Sequence, residues 1–189
     1  MYKNLIIFIL LLFVIQPTNA QFYKSVLPSP EFNNALEKIV GDFRYNFENI
    51  IGEPLVSQGE VETYGSTIKL PGATDCIIYK FHSALDTTAS WQGVLYQGDD
   101  YREAVKAYKN TFRLLNKSRI HLIDRSIIGF AGQMSEPSED VRFTVSTLQL
   151  NIADPRYEKF NAEVEMTTSY TGWQVNVNFF NKKPDSATQ

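Results

Sequence analysis

Side chains able to act as nucleophile or acid–base group are sparse in this chain of 189 residues, which has two histidines, His82 and His121, and one cysteine, Cys76. A thiol beside an imidazole would make a nucleophile, and Cys76 and His82 fall on the same side of one strand-like segment. Six residues of extended chain hold them about 20 Å apart, so a dyad requires His121 folded against Cys76. With one cysteine there is no intramolecular disulfide, and no Cys-rich or His-rich metal cage. A lone cysteine in an oxidising compartment is ordinarily buried and inert; a reactive thiol or an intermolecular bridge is the sharper alternative.

Carboxylates offer two further arrangements. Asp75 and the pair Asp99-Asp100 are acidic loop residues of the kind that hold a cation, although a helix beginning after Asp100 explains that residue as an N-cap. Glu163 and Glu165 lie two apart on one strand face, where two carboxylates can divide acid and base roles; a solvated sheet face is the commoner reason for them. The chain has no phosphate-binding Gly-x-x-x-x-Gly-Lys, no Gly-x-Gly-x-x-Gly, no His-Glu-x-x-His and no Gly-x-Ser-x-Gly. No catalytic residue, metal site or cofactor is therefore expected.

Charge patterning says more. From Arg102 to Ile120, six cations (Arg102, Lys106, Lys109, Arg113, Lys117 and Arg119) stand against Glu103 alone, a local balance of +5. The chain from Gln21 onward carries 17 Lys plus Arg and 21 Asp plus Glu, a net −4, so everything else sums to −9. Arg102, Lys106, Lys109, Arg113 and Lys117 step by four, three, four and four, which is one face of a helix. Such a stripe suits an anionic glycan, an anionic lipid surface or an acidic envelope protein. The plainer alternative is a solvated helix back lying beside Glu37, Asp42 and Glu48. Nucleic acid is not expected, because the exported protein is acidic and the stripe has no interleaved exposed aromatics.

Aromatic side chains are the other binding candidates. Trp91, Tyr96, Tyr170 and Trp173 sit in or beside strands and turns, where rings stack on a sugar or a peptide. The two tryptophans are expected in the core and Tyr170 on the surface. Asn116-Lys117-Ser118 is a glycosylation sequon if the source cell glycosylates.

The elements that must position these residues follow from periodicity. Ser29-Pro30 caps a first helix whose apolar residues Phe32, Ala35, Leu36, Ile39, Phe43, Phe47 and Ile50 recur at three- and four-residue steps, ending near Gly52. Strand-like runs follow at Val61 to Leu70, Cys76 to His82 and Ser90 to Gln97. Asp100 with Glu103 reads as a capping box for a second helix with Tyr101, Ala104, Val105, Tyr108, Phe112 and Leu115 on its apolar face, ending around Asn116. His121 begins a connector. Three strands then follow at Val141 to Ile152, Phe160 to Thr168 and Trp173 to Phe180. The last two alternate cleanly, as in an antiparallel sheet covered on one side. In the strand from Val141 the apolar phase changes near Ser146-Thr147, which predicts a β-bulge.

The expected fold is α+β: one antiparallel sheet with two amphipathic helices on one face, arranged as αβββ-αβββ. Shared residues hint at a duplication of segments 29–98 and 99–181. A shift of 69 aligns Ala35 with Ala104 and Phe43 with Phe112, a shift of 77 aligns Ile50-Ile51-Gly52 with Ile127-Ile128-Gly129, and a shift of 80 aligns Ser66-Thr67 with Ser146-Thr147. Chance and common amphipathicity compete with that reading. Residues 1–20 carry Lys3, an apolar block from Leu5 to Ile15, and Ala20 at the end, the form of a secretory signal cut before Gln21. Eleven apolar residues are too few to span a hydrocarbon core of about 30 Å. The mature domain is thus placed at 21–181, secreted or periplasmic and without a lipid anchor, followed by a polar tail at 182–189. The leading expectation is a non-enzymatic binding or interaction domain; the alternatives are a hydrolase-like enzyme with scattered residues and a structural component of a cell envelope.

Overall fold

In the computed structural model, which describes residues 27–83, 87–122 and 126–181, the first helix, α1 (Pro30–Phe43), starts where the sequence says it should. Ser29 Oγ accepts from the Phe32 amide at 3.2 Å, and Pro30 occupies the first turn. Its end differs from expectation. Asn46 and Phe47 both take φ of 59°, and the Asp42 carboxylate accepts from the Asn49 amide at 3.0 Å and from Asn49 Nδ2 at 2.6 Å. The chain leaves the helix at Arg44 and resumes as a 3-10 turn at Glu48–Ile50. Phe47 and Ile50 are still buried, so their spacing imitates another turn of helix.

Four strands follow, β1 (Ile51–Gln58), β2 (Val61–Ser66), β3 (Asp75–Phe81) and β4 (Ala89–Gly98). Helix α2 (Tyr101–Lys117) precedes five more: β5 (Arg119–His121), β6 (Ile127–Gly132), β7 (Phe143–Leu150), β8 (Phe160–Ser169) and β9 (Gly172–Asn181). Among the described residues, the expectation of three strands per half is therefore corrected to four and five. β1 escaped notice because Gly52 and Pro54 interrupt it. It lies at the sheet edge, where a proline removes no ladder donor. All pairings are antiparallel, in the order β1-β2-β3-β4-β9-β8-β7-β6-β5, so the final strand of the first meander lies against the final strand of the chain. An α+β fold with an antiparallel sheet is what the sequence called for.

Two local expectations give way. No bulge interrupts β7: its pairing with β8 runs unbroken from Phe143 opposite Thr167 to Leu148 opposite Ala162. The inward positions are Thr144, Ser146 and Leu148, all buried, whereas Phe143 is exposed. Buried hydroxyls had masked a strand of constant phase, and Ser146 Oγ bonds the Tyr108 hydroxyl of α2. The capping box is half formed. Asp100 accepts from the Arg102 and Glu103 amides at 2.8 and 3.2 Å, but Glu103 pairs with Lys106, and the Asp100 amide donates to the Tyr96 hydroxyl.

One cluster of buried apolar residues draws on both helices and on β3, β4, β6, β7, β8 and β9, with Trp91, Tyr108, Leu148, Val177 and Phe179 among its members. Trp91 Nε1 donates to Ser66 Oγ at 2.9 Å, which satisfies its polar atom inside the core. The expected signal segment 1–20 and the tail 182–189 lie outside the described residues.

Candidate functional site

The residues singled out for nucleophilic chemistry are kept apart. Cys76 is buried and its sulfur accepts from the Leu70 amide at 3.4 Å; burial pushes the thiol above its ordinary value. His82 Nε2 lies 3.0 Å from Glu62 Oε2 and His121 Nδ1 lies 3.5 Å from Glu37 Oε2. Among the described residues, no hydrogen bond or ion pair joins either imidazole to the thiol. Asp100 caps α2, and no group of three or more metal-ligating side chains occurs among the described residues.

The basic stripe is found along α2. Arg102, Lys106, Arg113 and Lys117 are exposed, and Lys109 is half-buried. Lys106 pairs with Glu103 at 3.3 Å and Lys109 with Glu136 at 2.5 Å. Glu37, Asp42 and Glu48 are occupied elsewhere, by His121, Asn49 and Lys80. Tyr170 projects fully from the turn between β8 and β9. Among the described residues, no hydrogen bond, ion pair or ring contact brings Tyr170 to the stripe, so the two do not form one site. Trp173, by contrast, is half-buried against Tyr101 at 5.1 Å.

A more organised surface lies on the outward sheet face, made by the residues that alternate with the core. Register places Ile77, Gln92, Asn178, Glu163 and Thr147 in one row across β3, β4, β9, β8 and β7. The next row holds Val94, Asn176, Glu165 and Val145. Hydrogen bonds run through these rows in one sense. The Tyr79 hydroxyl donates to Gln92 Oε1 at 3.2 Å, Gln92 Nε2 to Asn178 Oδ1 at 2.9 Å, and Asn178 Nδ2 to Glu165 Oε2 at 3.0 Å. Asn161 Nδ2 donates to Glu163 Oε1 at 3.2 Å, and Gln174 Nε2 to Asn176 Oδ1 at 2.9 Å.

This relay assigns an orientation to each amide: Gln92 and Asn178 each accept through oxygen and donate through nitrogen. Burial raises the Glu163 carboxyl above the ordinary value, with the Glu165 charge adding to it and bonds from Thr147 and Asn161 opposing it. At one end of the face a cleft of about 230 Å³ opens between Tyr79, Phe81, Ser90, Gln92, Asn178 and Phe180. The arrangement offers alternating donors and acceptors beside ring faces, the set needed by a polar ligand with hydroxyls and C–H faces. Sequence alternation marks Asn161, Glu163, Glu165, Gln174, Asn176 and Asn178 as one wet face, but the structure buries Asn161 and Asn176 and leaves the others half-buried. The alternation gives no sign of Tyr79 or Gln92, which join through the β3–β4 and β4–β9 pairings. No family model matches the chain, and no curated protein matches it.

Proposed function

We propose that this chain is an exported, non-enzymatic binding domain whose outward sheet face takes a neutral, hydroxyl-rich ligand such as a glycan. The observation that carries the reading is the oriented relay from Tyr79 through Gln92 and Asn178 to Glu165, which spans four strands. Half-buried amides held in one orientation lose little further freedom on binding. The cleft is smaller than the roughly 300–1,000 Å³ that encloses a drug-sized ligand, so it receives one ring of a longer molecule laid across the strands. Export rests on the character of residues 1–20. No described helix is long and apolar enough to cross a membrane.

We further infer that both helices cover the same sheet face and that the halves are duplicated. Support comes from the shared core cluster and from a strand order that brings β4 and β9, the last strand of each half, together at the centre. The identities at shifts of 77 and 80 do not contribute. They would pair Ile128 with Ser146 as Ile51 pairs with Ser66, yet β6 meets β7 through Phe130 and Leu150, Ala131 and Gln149, and Gly132 and Leu148.

Among the alternatives, the basic stripe of α2 has the weaker support, because two of its cations already have acidic partners. Assembly through strand edges has little. β1 carries Pro54 and two irregularities of pairing, and β5 is three residues long, both devices that blunt an edge. The test is binding to an immobilised panel of neutral and acidic oligosaccharides. Binding abolished by Gln92→Ala and Asn178→Ala but retained by the double variant Lys106→Gln/Arg113→Gln is the expected result. The reverse pattern would move the site to α2, and no binding by the parent protein would sink the glycan reading.

A further inference from the structure

A cavity of about 540 Å³ lies away from the outward sheet face. It opens between the C-terminal half of α1, Ile50, Ile68, the end of β5 and the 3-10 turn Pro155–Tyr157. Its floor is apolar, with Ile50, Leu122 and Tyr157 all buried. Its polar lining is mixed in sign, with Lys38, Arg44 and Arg156 against Glu37 and Asp42.

The acids are already occupied. Glu37 Oε2 accepts from the His121 amide at 3.1 Å and lies near its ring, and Asp42 holds Asn49 through both carboxylate oxygens. Asp154, just outside, holds Arg156 with Nε at 3.0 Å and Nη2 at 2.6 Å. Lys38 and Arg44 form no ion pair among the described residues. Arg44 is the more telling of the two. Its Nε is buried and has no hydrogen-bond partner, while its guanidinium carbon rests 4.7 Å above the Tyr45 ring.

A buried N–H without an acceptor is rare in native proteins and calls for an explanation. Arg44 stands at the C-cap of α1, yet Nε does not spend itself on the last helical carbonyls. The Tyr45 ring covers one face of the guanidinium and Nε is shielded from solvent, so an acceptor entering the cavity meets Arg44 through its terminal nitrogens, on a side where the Asp154 carboxylate also feels its charge. The negative end of the α1 dipole opposes an anion here, but the effect is small beside a charge-assisted hydrogen bond.

We propose that this cavity binds a small organic carboxylate with an apolar body, its carboxylate on Arg44 with Lys38 at the rim, and its body on Ile50, Leu122 and Tyr157. The volume falls within the range of sites that enclose a small molecule.

The test uses 4-phenylbutyrate as probe and its neutral counterpart 4-phenyl-1-butanol, titrated into the ¹⁵N-labelled full chain by NMR. The acid is expected to give saturable shifts at Gly41, Tyr45, Leu122 and Tyr157. The alcohol should bind at least about tenfold more weakly, because it cannot accept a charge-assisted bond. Arg44→Gln should remove a similar factor, and Lys38→Gln a smaller one. Equal affinity of acid and alcohol, undiminished affinity in Arg44→Gln, shifts confined to the outward sheet face, or no saturation would each overturn the proposal. The comparison of acid with alcohol needs no variant, so it decides the matter even where Arg44→Gln folds poorly.

Discussion

Glu163 shows how a single side chain on the outward face reports its surroundings. Its folded carboxyl titrates above the unfolded value near 4.5, first because it is partly desolvated and then because Glu165 lies close. The fold thus favours the protonated form. The stability this group contributes is full below about pH 4.5 and is lost as pH rises through the folded value. Glu163→Gln carries no charge and retains an oxygen for Asn161 Nδ2, so it should melt at a higher temperature than the parent at neutral pH. The two proteins should converge in acid, below the unfolded value. Calorimetric melting at both pH values checks this, and a variant that melts lower at neutral pH would show that the bonds from Thr147 and Asn161 outweigh the desolvation.

At the scale of elements, the end of α1 is set by side-chain hydrogen bonds rather than by loss of apolar periodicity. Asp42 holds the turn through Asn49, as Asp100 holds the start of α2. Asp100→Ala should cost about 1 kcal/mol, the usual value of an N-cap. Asp42→Ala should cost about 1–3 kcal/mol, because two bonds to a buried carboxylate are lost. Urea unfolding measures both, and a cost for Asp42→Ala well below that of Asp100→Ala would show that the left-handed Asn46 and Phe47 suffice to stop the helix.

The same distinction explains what the sequence reveals. Helix starts at Ser29 and Asp100 and the alternation of β8 and β9 are local patterns, and they are legible. The stop after Phe43 depends on a contact between Asp42 and Asn49 that periodicity does not encode. β1 is hidden by Pro54, which only its edge position makes acceptable. The strand at β7 is legible, but its unbroken phase is hidden by Thr144 and Ser146, whose burial depends on a partner such as Tyr108 on another element. The relay on the outward face is half legible for a similar reason: its amides alternate in sequence, but their order of contact is a property of the register between β4 and β9.

For the whole molecule, the pairing of β4 with β9 decides whether the halves behave as one unit. Seven residue pairs link those strands, from Trp91 opposite Phe179 to Gly98 opposite Trp173, and the Trp91 ring stacks on Phe179 with centroids 5.5 Å apart. Helix α2 belongs to the second half by sequence, yet it packs on β4 as well as on β6, β8 and β9. Phe112 and Phe43 are both buried members of the same core cluster, and Phe43 lies edge-on to Phe160 of β8 at 4.9 Å. Each helix therefore reaches strands of the half that does not contain it or bridges the seam between the halves. Truncating Phe112 or Phe43 to Ala removes a ring from that common core and should cost about 3–5 kcal/mol. Since one core makes one cooperative unit, each variant should unfold in a single transition at a lower denaturant concentration, with fluorescence of Trp91 and Trp173 and far-ultraviolet dichroism changing together. Two separated transitions in Phe112→Ala would show that the β4–β9 seam does not couple the halves, and a cost under about 1 kcal/mol would show that the helix face is not packed as the core cluster requires.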